Sequence, residues 1–565
     1  MKRNHLLTIT MAFLLSACGT SGSSSVDAGE STSQNTDDRI AVNSIEELKQ
    51  LSSSSKKYKL VADLDFANVT EWSPIESFKG TLDGENHQIT NFNLEFTAKT
   101  NAGLFGVLEG KVNQLSISGT LVGNGGCENV GLLCGTNKGT IDNVTSSGSV
   151  TAEYSSNVGG IAGYTYETIS GCKNNASITG LNSVGGVSGY LLLRHNKSLS
   201  GGSDNTGAIT GQKYIGGVFG QTYGEKYGHN GYDKEITISY CNNEGAVTAS
   251  KEYAGGISGY VSAGEFGDDI DISYSKNKAE IKGTSYVGGL VGGATADLYK
   301  IQFCENKADI TGTEEYVGGY VGGSEGSFIY DAVNENHITG KAYVGGIAGK
   351  ISGLEDCENK GIVTCNGYLV SGTSMFARMG GVVGSAKAIK GCVNSGTMDI
   401  KTLGSNIGGV AGELLVSAAT VGEIMSEYEY PTMAKNKNSA SITCQGANVG
   451  GIVGAVSMGQ PNTAKSYAIE FKENENTGAI DSNSNHIGGI VGYSSSNMLY
   501  NSYGGKTTFN TNTNSANING HNYVGGILGY GNFVNETETI WATNPQTGEV
   551  TGDGYFGNLY GAINV

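Results

Sequence analysis

The chain has 565 residues, of which 90 are glycine and 4 are proline, and its formal net charge is −18 at pH 7. An acidic chain without a Lys/Arg cluster is a poor partner for nucleic acid or for an anionic membrane surface. Glycine in a helix interior costs about 1 kcal/mol relative to alanine, so this composition also disfavours an all-helical repeat.

Residues 1–17 have the features of a lipoprotein signal peptide. A basic start at Lys2 and Arg3 precedes an apolar run, Leu6 to Leu15, that is too short for a lasting membrane span. Leu15-Ser16-Ala17-Cys18 resembles the bacterial lipobox, which implies a lipid on Cys18; an ordinary signal peptide with a chance cysteine is the alternative. We therefore expect an exported lipoprotein, anchored through Cys18 in a bacterial membrane, at the cell surface or outer membrane. Residues 18–39, rich in Ser, Thr, Gly and Asp, predict a flexible tether.

Residues 40–102 are predicted to form an N-terminal cap and the first coils. Ser44 followed by Glu47 fits a capping box, which marks the start of a helix. Three apolar residues then share one helical face: Ile45, Leu48 and Leu51. A short amphipathic helix here would cover the open end of a repeat stack, which would otherwise recruit other chains. Residues 58–66 are predicted to form a strand.

The motif apolar-Gly-Gly-apolar-x-Gly dominates the rest of the chain. Its clear copies have the first glycine of the pair at positions 159, 185, 216, 255, 288, 318, 345, 380, 408, 450, 488 and 525. In one copy Val158 and Ile161 are three residues apart, which would place them on opposite faces of a straight strand. Because both residues are apolar in nearly every copy, we expect the glycine pair to form a corner or bulge that turns both inward.

A second signature recurs with the same period. Asn is followed four residues later by an apolar residue, as in Asn174 to Ile178 and Asn243 to Val247, and stacked asparagines predict a ladder of amide hydrogen bonds. Five cysteines stand two residues before such an asparagine: Cys172, Cys241, Cys304, Cys357 and Cys392. We expect a column of buried thiols, with disulfides as the alternative in an oxidising compartment.

Repeats of this length indicate coils that stack along one axis. The sequence predicts an all-β protein, a right-handed parallel β-helix (β-solenoid) of about 14 coils, with the short N-terminal capping helix. The repeat solenoid spans residues 103–535, and residues 536–565 form a degenerate C-terminal coil or cap. Gly103-Leu104-Phe105-Gly106 and its later variants resemble the GLUG repeat of bacterial surface proteins and some immunoglobulin-A peptidases. That resemblance implies an extracellular β-solenoid module, and it transfers no catalytic residue to this chain.

A search for catalytic chemistry finds no strong motif. His-Glu-x-x-His is absent, no two of the seven histidines have metal-ligand spacing, and the first glycine of a phosphate loop is replaced by Tyr500. Acidic groups that qualify on spacing alone are Asp63 with Asp65, and Asp268, Asp269 and Asp271, the latter also a candidate calcium site. Solvated turn and strand-edge acids are the favoured interpretation of both groups. We predict no cofactor and no metal.

The best candidate contact site is aromatic. Tyr214, Tyr253, Tyr286, Tyr316 and Tyr343 occupy the same repeat position in five successive units, and Tyr523 returns to it later. The next residue in each unit is the inward one, so alternation points the tyrosine outward. A stripe of rings can dock sugars or the apolar surface of a partner, whereas the alternative is like-on-like stacking that stabilises the exterior.

We therefore predict a lipid-anchored, non-catalytic surface protein that acts in adhesion or in binding glycans or host proteins through the tyrosine stripe. The alternatives are a polysaccharide lyase or hydrolase and a purely structural surface spacer. A catalytic β-helix should gather two or three acids, or acids with Arg or Lys, in one groove.

Overall fold

A computed structural model of the chain describes residues 37–51, 55–97, 100–194, 199, 202–225, 236–263, 270–295, 299–367, 377–401, 404–416, 432–458, 468–495, 505–533 and 536–564. The chain from Arg39 onward forms one compact unit. The leader and the tether, including Cys18, lie outside the described residues, apart from the last residues of the tether.

Seven of the described coils consist of five short strands, as the coil that begins after Gly217 illustrates, and the other coils have fewer strands. These strands are, in chain order, Phe219–Glu225, Ile236–Ser239, Asn242–Asn243, Val247–Ala249 and Ala254–Gly255. Each pairs in parallel with the equivalent strand of the next coil; for example, Ile236 pairs with Ile270 and Val247 with Ile281. The predicted fold class, an all-β parallel β-helix, is confirmed.

The inward residue before the Gly-Gly pair, or before the single glycine that replaces the pair in the outermost coils, traces the stack without a break. Its column runs through Ala102, Val130, Val158, Val184, Ile215, Ala254, Val287, Val317, Val344, Met379, Ile407, Val449, Ile487, Val524 and Phe556. All members except Phe556 at the last coil are buried in one continuous hydrophobic core. The described residues thus align fifteen coils through this column, close to the number that the repeat count predicted.

The N-terminal end contains the predicted capping helix, Ile45–Lys49, the one α-helix in the described part of the chain. The Ser44 hydroxyl accepts a hydrogen bond from the backbone N–H of Glu47, and the Glu47 carboxylate accepts one from the N–H of Asn43. Leu48 and Leu51 are fully buried against the first coils. The strands around it are Ile40–Val42, Lys57–Leu60, Leu64–Asp65, Ile75–Phe78, Thr81–Asp83 and Gln88–Phe96.

The strand predicted over residues 58–66 is divided in two. Lys57–Leu60 pairs with Ile40–Val42 and Thr81–Asp83, whereas Leu64–Asp65 pairs with Gln88–Phe96. The apolar alternation runs through both segments, so the pattern by itself contained no sign of the break. The division arises because each segment pairs with a different strand of the next coil.

The Gly-Gly pair forms the predicted corner, and each glycine of the motif is needed for a different close contact. In one copy, a Cβ atom on Gly216 would overlap the carbonyl oxygen of Phe219. On Gly217 it would overlap the carbonyl oxygen of Gly256 in the next coil and the side-chain amide of Asn243. On Gly220 it would overlap the backbone of the preceding coil. The second glycine therefore faces the asparagine column across the core.

The predicted asparagine ladder is present, and Asn243 shows its chemistry. Its Nδ2 donates to the carbonyl oxygen of Gly245 at 2.9 Å and to Oδ1 of Asn277 at 2.8 Å. Its Oδ1 accepts from the N–H of Gly245 at 3.3 Å and from Nδ2 of Asn205 at 2.8 Å. Two donors and two acceptor sites are thus all used. Amide bonds between coils join Asn174, Asn205, Asn243, Asn277 and Asn306, and then Asn334, Asn359, Asn394, Asn438, Asn476, Asn514 and Gln546.

The five repeat cysteines lie in one buried column beside this ladder, as predicted. The nine cysteines of the described residues all carry free thiols. Burial raises the pKa of Cys241 to about 12 and that of Cys304 to about 12, so these thiols stay protonated. In the last coils the same column contains Asn436, Asn474, Asn512 and Asn544, which form a second amide ladder.

The C-terminal coil continues the stack with the strands Glu536–Trp541, Val550–Gly552, Phe556–Gly557 and Tyr560–Asn564. Val550 pairs with Ile518 and Tyr560 with Leu528. Large apolar side chains of this coil are exposed: Tyr555, Phe556, Leu559 and Tyr560.

Candidate functional site: two aromatic rows

The tyrosines that the repeat aligned occupy a left-handed backbone position. Tyr214, Tyr253, Tyr286, Tyr316 and Tyr343, here called the tyrosine row, have φ between 51 and 68°. The left-handed turn precedes the inward residue, so the ring leaves the coil on its outer side. Asn157, Asn406 and Asn448 adopt the same conformation in the same column of other coils. Asparagine enters this region readily, whereas a bulky residue there is an outlier.

The rings of the tyrosine row stack from one coil to the next. Ring centroids are 5.1 Å apart between Tyr214 and Tyr253, 4.6 Å to Tyr286, 4.5 Å to Tyr316 and 4.5 Å to Tyr343. Successive ring planes differ by 18–26°. Each ring is half-buried. The structure thus brings all five predicted residues into one continuous aromatic surface.

Neighbouring groups hold the row in place along its flank. Tyr260 packs against Tyr214 and Tyr253, with centroids 5.2 and 5.0 Å away. Farther along, the rings of Tyr253 and Tyr286 lie over Gly293 and Gly323, where a Cβ atom would crowd them. Glycine at these positions therefore lets the rings lie flat on the coil surface.

Cations cover both ends of the row. The Lys213 ammonium lies 5.0 Å from the ring centroid of Tyr214, and the Arg378 guanidinium lies 4.6 Å from that of Tyr343. Arg378 Nε also donates to Glu413 at 2.8 Å. Glu413 is only 4% exposed and accepts further hydrogen bonds from the hydroxyls of Ser385 and Ser457. The row stops after Tyr343 because Arg378 occupies the equivalent position in the next coil, where it makes a cation–π contact with the last ring.

The phenol groups of Tyr253, Tyr286, Tyr316 and Tyr343 remain protonated at physiological pH. Burial raises the pKa of Tyr286 to about 12, and the neighbouring Tyr316 adds to the effect. Burial is also the largest cause of the raised pKa of Tyr253, Tyr316 and Tyr343. The hydroxyls therefore offer both a donor and an acceptor to a ligand.

The predicted return of the row near the C-terminal end is a broader cluster. Tyr523 stacks on His486 at 5.3 Å and contacts Tyr530 edge-on at 5.3 Å. His486 is half-buried, and burial lowers its pKa, which favours the neutral imidazole. Its Nδ1 lies 2.8 Å from Oδ1 of Asn448, so the ring is tied to the same column one coil earlier.

A second aromatic row was not singled out from the sequence. Tyr240, Tyr274 and Phe303, here called the corner row, immediately precede the thiol column in three successive coils. Their rings stack with centroids 5.1 Å apart at both steps, and the planes differ by 9 and 15°. Tyr240 is 54% exposed, Tyr274 45% and Phe303 55%. The sequence did contain a signal for this row, because each of the three aromatic residues directly precedes a residue of one aligned column: Cys241, Ser275 and Cys304.

The paired carboxylates that met the spacing requirement have structural roles. Asp63 accepts hydrogen bonds from the N–H of Gln88 and lies 3.0 Å from Nδ1 of His87. Asp65 accepts from the N–H of Ala67 and from Nδ2 of Asn91. These bonds lower the pKa of both carboxyl groups, the opposite of what a general acid requires.

The structure describes only one member of the second acidic group, Asp271. Asp268 and Asp269 lie outside the described residues. Asp271 is buried within its strand, and its Oδ1 accepts a hydrogen bond from the N–H of Lys300 at 3.2 Å. Across the residues that the structure describes, no cluster of three or more His, Cys, Asp or Glu side chains is arranged to hold a metal ion. Within those same residues, no helix has the length and hydrophobicity to span a bilayer.

Comparison with known proteins finds limited likeness. No family model matches the chain, so the resemblance to the GLUG repeat stays a prediction. Halomucin of Haloquadratum walsbyi is 33% identical over 145 residues, which is 22% of this chain and 2% of that protein. A protein of Evansella cellulosilytica, designated by inference as a Gly-rich membrane protein, is 29% identical over 166 residues, or 26% of this chain and 19% of that protein. The chain thus spans a small part of these curated relatives.

One solved structure is similar over a larger share. A Bacteroides ovatus protein, whose designation as an immunoglobulin A1 protease is itself an inference, aligns with 64% of this chain and 77% of its own. The sequence identity is 16% and the TM-score is 0.19, so this likeness carries no argument about fold or function.

Proposed function

We propose that this chain is a non-catalytic, surface- or membrane-associated β-helix that binds glycans or proteins through its tyrosine row. The names of two relatives, halomucin and a Gly-rich membrane protein, support a place at the cell surface or membrane. A lipid on Cys18, as the lipobox resemblance implies, would supply the anchor. Adhesion to a glycan-coated or host surface is the role that fits such a location.

The observation that carries this proposal is the continuity of the tyrosine row. Five stacked rings on the outer side of five successive coils form a continuous aromatic strip. Aromatic residues are enriched in recognition surfaces because a rigid ring offers a large contact area with a polar end. A purely stabilising stack would need the rings but no ligand, so a binding measurement separates the two interpretations.

A non-catalytic role is also the simpler interpretation of the acidic groups. The pKa of Asp63 and that of Asp65 are lowered: Asp63 accepts a hydrogen bond from Gln88 of the next coil, and Asp65 accepts one from Ala67 of its own turn. Retaining or inverting glycosidases need one carboxyl whose pKa is raised. The alternative of a polysaccharide hydrolase therefore gains no support from these groups.

The test is glycan-array binding by the full-length protein and by a Y253N/Y286N/Y316N variant. Asparagine suits the left-handed position, as Asn406 and Asn448 show, so the coils should persist. We expect the variant to lose about tenfold or more in affinity, because buried aromatic anchors dominate such contacts.

A Y154N variant is the matched control, since Tyr154 is 67% exposed and lies outside both rows. It should bind as the parent does. Equal binding by the parent and the tyrosine-row variant, with unchanged circular dichroism, would instead favour the structural spacer.

A further inference from the structure

The corner row consists of residues that the backbone at their position does not favour. Tyr240, Tyr274 and Phe303 have φ of 58, 49 and 55°. In other coils the same column contains glycine at φ of 59–66° (Gly171, Gly202 and Gly391) or a polar residue at φ of 52–59° (Asn143, Asp331, Asp356, Lys435, Glu473 and Thr511). Glycine adopts this left-handed region without steric cost, whereas aromatic residues do so against their preference. Three aromatic side chains in successive coils therefore need an explanation other than backbone geometry.

Burial does not supply that explanation. Each corner-row residue is 45–55% exposed, more than the tyrosine-row residues, whose rings lie over glycines and beneath cations. The exposed parts of the three rings are adjacent because the rings stack at the coil spacing. A contiguous exposed apolar strip of this kind marks a contact surface.

A polar column runs beside the strip, two residues farther along each coil. Asn242, Lys276 and Glu305 lie in the three coils of the strip, and Asp204 and Lys173 continue the column in register into the two preceding coils. Asn242 donates to Asp204 at 2.8 Å, and Lys276 lies 3.0 Å from Glu305. Two cations and two anions make this column neutral, although the chain as a whole has a net charge of −18. It offers amide, carboxylate and ammonium groups, which are donors and acceptors for hydroxyls.

We infer that the corner row is a binding site for a neutral polysaccharide whose chain lies along the stack. Successive rings are separated by about the length of one sugar unit in an extended polysaccharide, so consecutive sugars meet equivalent groups in consecutive coils. The C–H groups of each sugar contact the aromatic strip, and its hydroxyls bond to the polar column. Because the polar column has no net charge, it does not attract a strongly charged ligand. The choice of a glycan as the ligand rests on the proposed function. The surface that binds it is a different one, because the corner row lies at another corner of the coil than the tyrosine row.

The experiment is native affinity electrophoresis of the full-length protein in gels that contain one soluble polysaccharide. The neutral probes are hydroxyethylcellulose, mixed-linkage β-glucan and galactomannan, and polygalacturonate is the anionic probe. The corner-row variant is Y240N/Y274N/F303N, which is compatible with the backbone because Asn143 holds the same column at φ 53°. The tyrosine-row variant Y253N/Y286N/Y316N is the matched control, with the same number of rings removed.

We expect a neutral probe to retard the parent more than polygalacturonate does, and the corner-row variant to lose about tenfold in affinity for it. The tyrosine-row variant should keep at least part of that retardation. Retention of full affinity by the corner-row variant would overturn the inference, as would a parent that no neutral probe retards. Loss confined to the tyrosine-row variant would leave the proposed function standing and this inference refuted.

Thermal unfolding of the same variants distinguishes a loss of binding from a loss of stability. If the corner row serves only to stack, its loss should lower the unfolding temperature and leave electrophoretic retardation unchanged, which would also overturn the inference. If it binds a polysaccharide, the folded variant should show the affinity loss at a temperature well below its transition, with the parent's circular dichroism spectrum.

Discussion

At the scale of single residues, glycine and the left-handed corner explain most of the repeat. The second glycine of each motif lies against the amide of the asparagine ladder and the backbone of the next coil. The residue before the motif takes a positive φ, which turns its side chain outward and the next side chain inward. Two apolar residues on either side of the glycine pair can then both enter the core.

Gly217 tests this account of the corner. We expect Gly217→Ala to lower the free energy of unfolding by about 3 kcal/mol, because overpacking against fixed backbone leaves no room for relaxation. Gly126→Ala is the control, since an added Cβ there would meet only the carbonyl oxygen of Tyr154, at 3.3 Å. The measurement is urea unfolding followed by circular dichroism. Equal midpoints for the two variants would contradict the proposed packing.

At the scale of elements, the strands are too short to be stable on their own, and side-chain ladders supplement their pairing. Strands of two residues, such as Asn242–Asn243, contribute few backbone hydrogen bonds. The asparagine at each such strand bonds its own turn and both adjacent coils. The ladder therefore fixes the position of the turn and the register between coils together.

We expect Asn243→Ala to cost about 2–3 kcal/mol, because buried partners in three coils lose hydrogen bonds and water cannot replace them. The comparison is Asn175→Ala, which removes an exposed side chain whose Oδ1 accepts a hydrogen bond from Thr206. Urea unfolding should place the Asn175 variant near the parent. A similar loss in both variants would mean that the buried ladder adds nothing beyond an exposed hydrogen bond.

At the scale of the whole molecule, each coil contacts mainly its two neighbours, so the first and last coils are the vulnerable ones. The N-terminal end is covered by the helix Ile45–Lys49, which buries Leu48 and Leu51. An uncovered edge of a parallel stack presents unpaired backbone groups to other chains. We therefore expect the helix to contribute to solubility as well as to stability.

Leu48→Asp should detach this helix, because a buried carboxylate without a partner is strongly unfavourable. We expect the variant to self-associate, which size-exclusion chromatography with light scattering would detect as a larger mass. Glu46→Lys changes the charge at an exposed position of the same helix and should leave the mass unchanged. A Leu48 variant with the parent's mass and solubility would show that the helix is dispensable as a cover.

Recurrence along the chain is enough to predict the stacking, because residues that recur at one repeat position must meet their equivalents once the chain coils. The glycine corners, the asparagine ladder, the thiol column and the alignment of the five tyrosines all followed from recurrence. The capping helix followed from local chemistry, since Ser44, Glu47 and the apolar spacing act within a few residues of one another.

The exposure of the aromatic groups, and the groups that lie beside them, became known from the folded coils alone. The packing of Gly217 against Asn243, the cover that Arg378 and Glu413 form at one end of the tyrosine row, and the neutral column beside the corner row join residues that are far apart in the chain. Repeat position specifies which residues align along the stack. It does not specify how the corners of one coil are arranged around the core, because that depends on where each backbone turn adopts a positive φ.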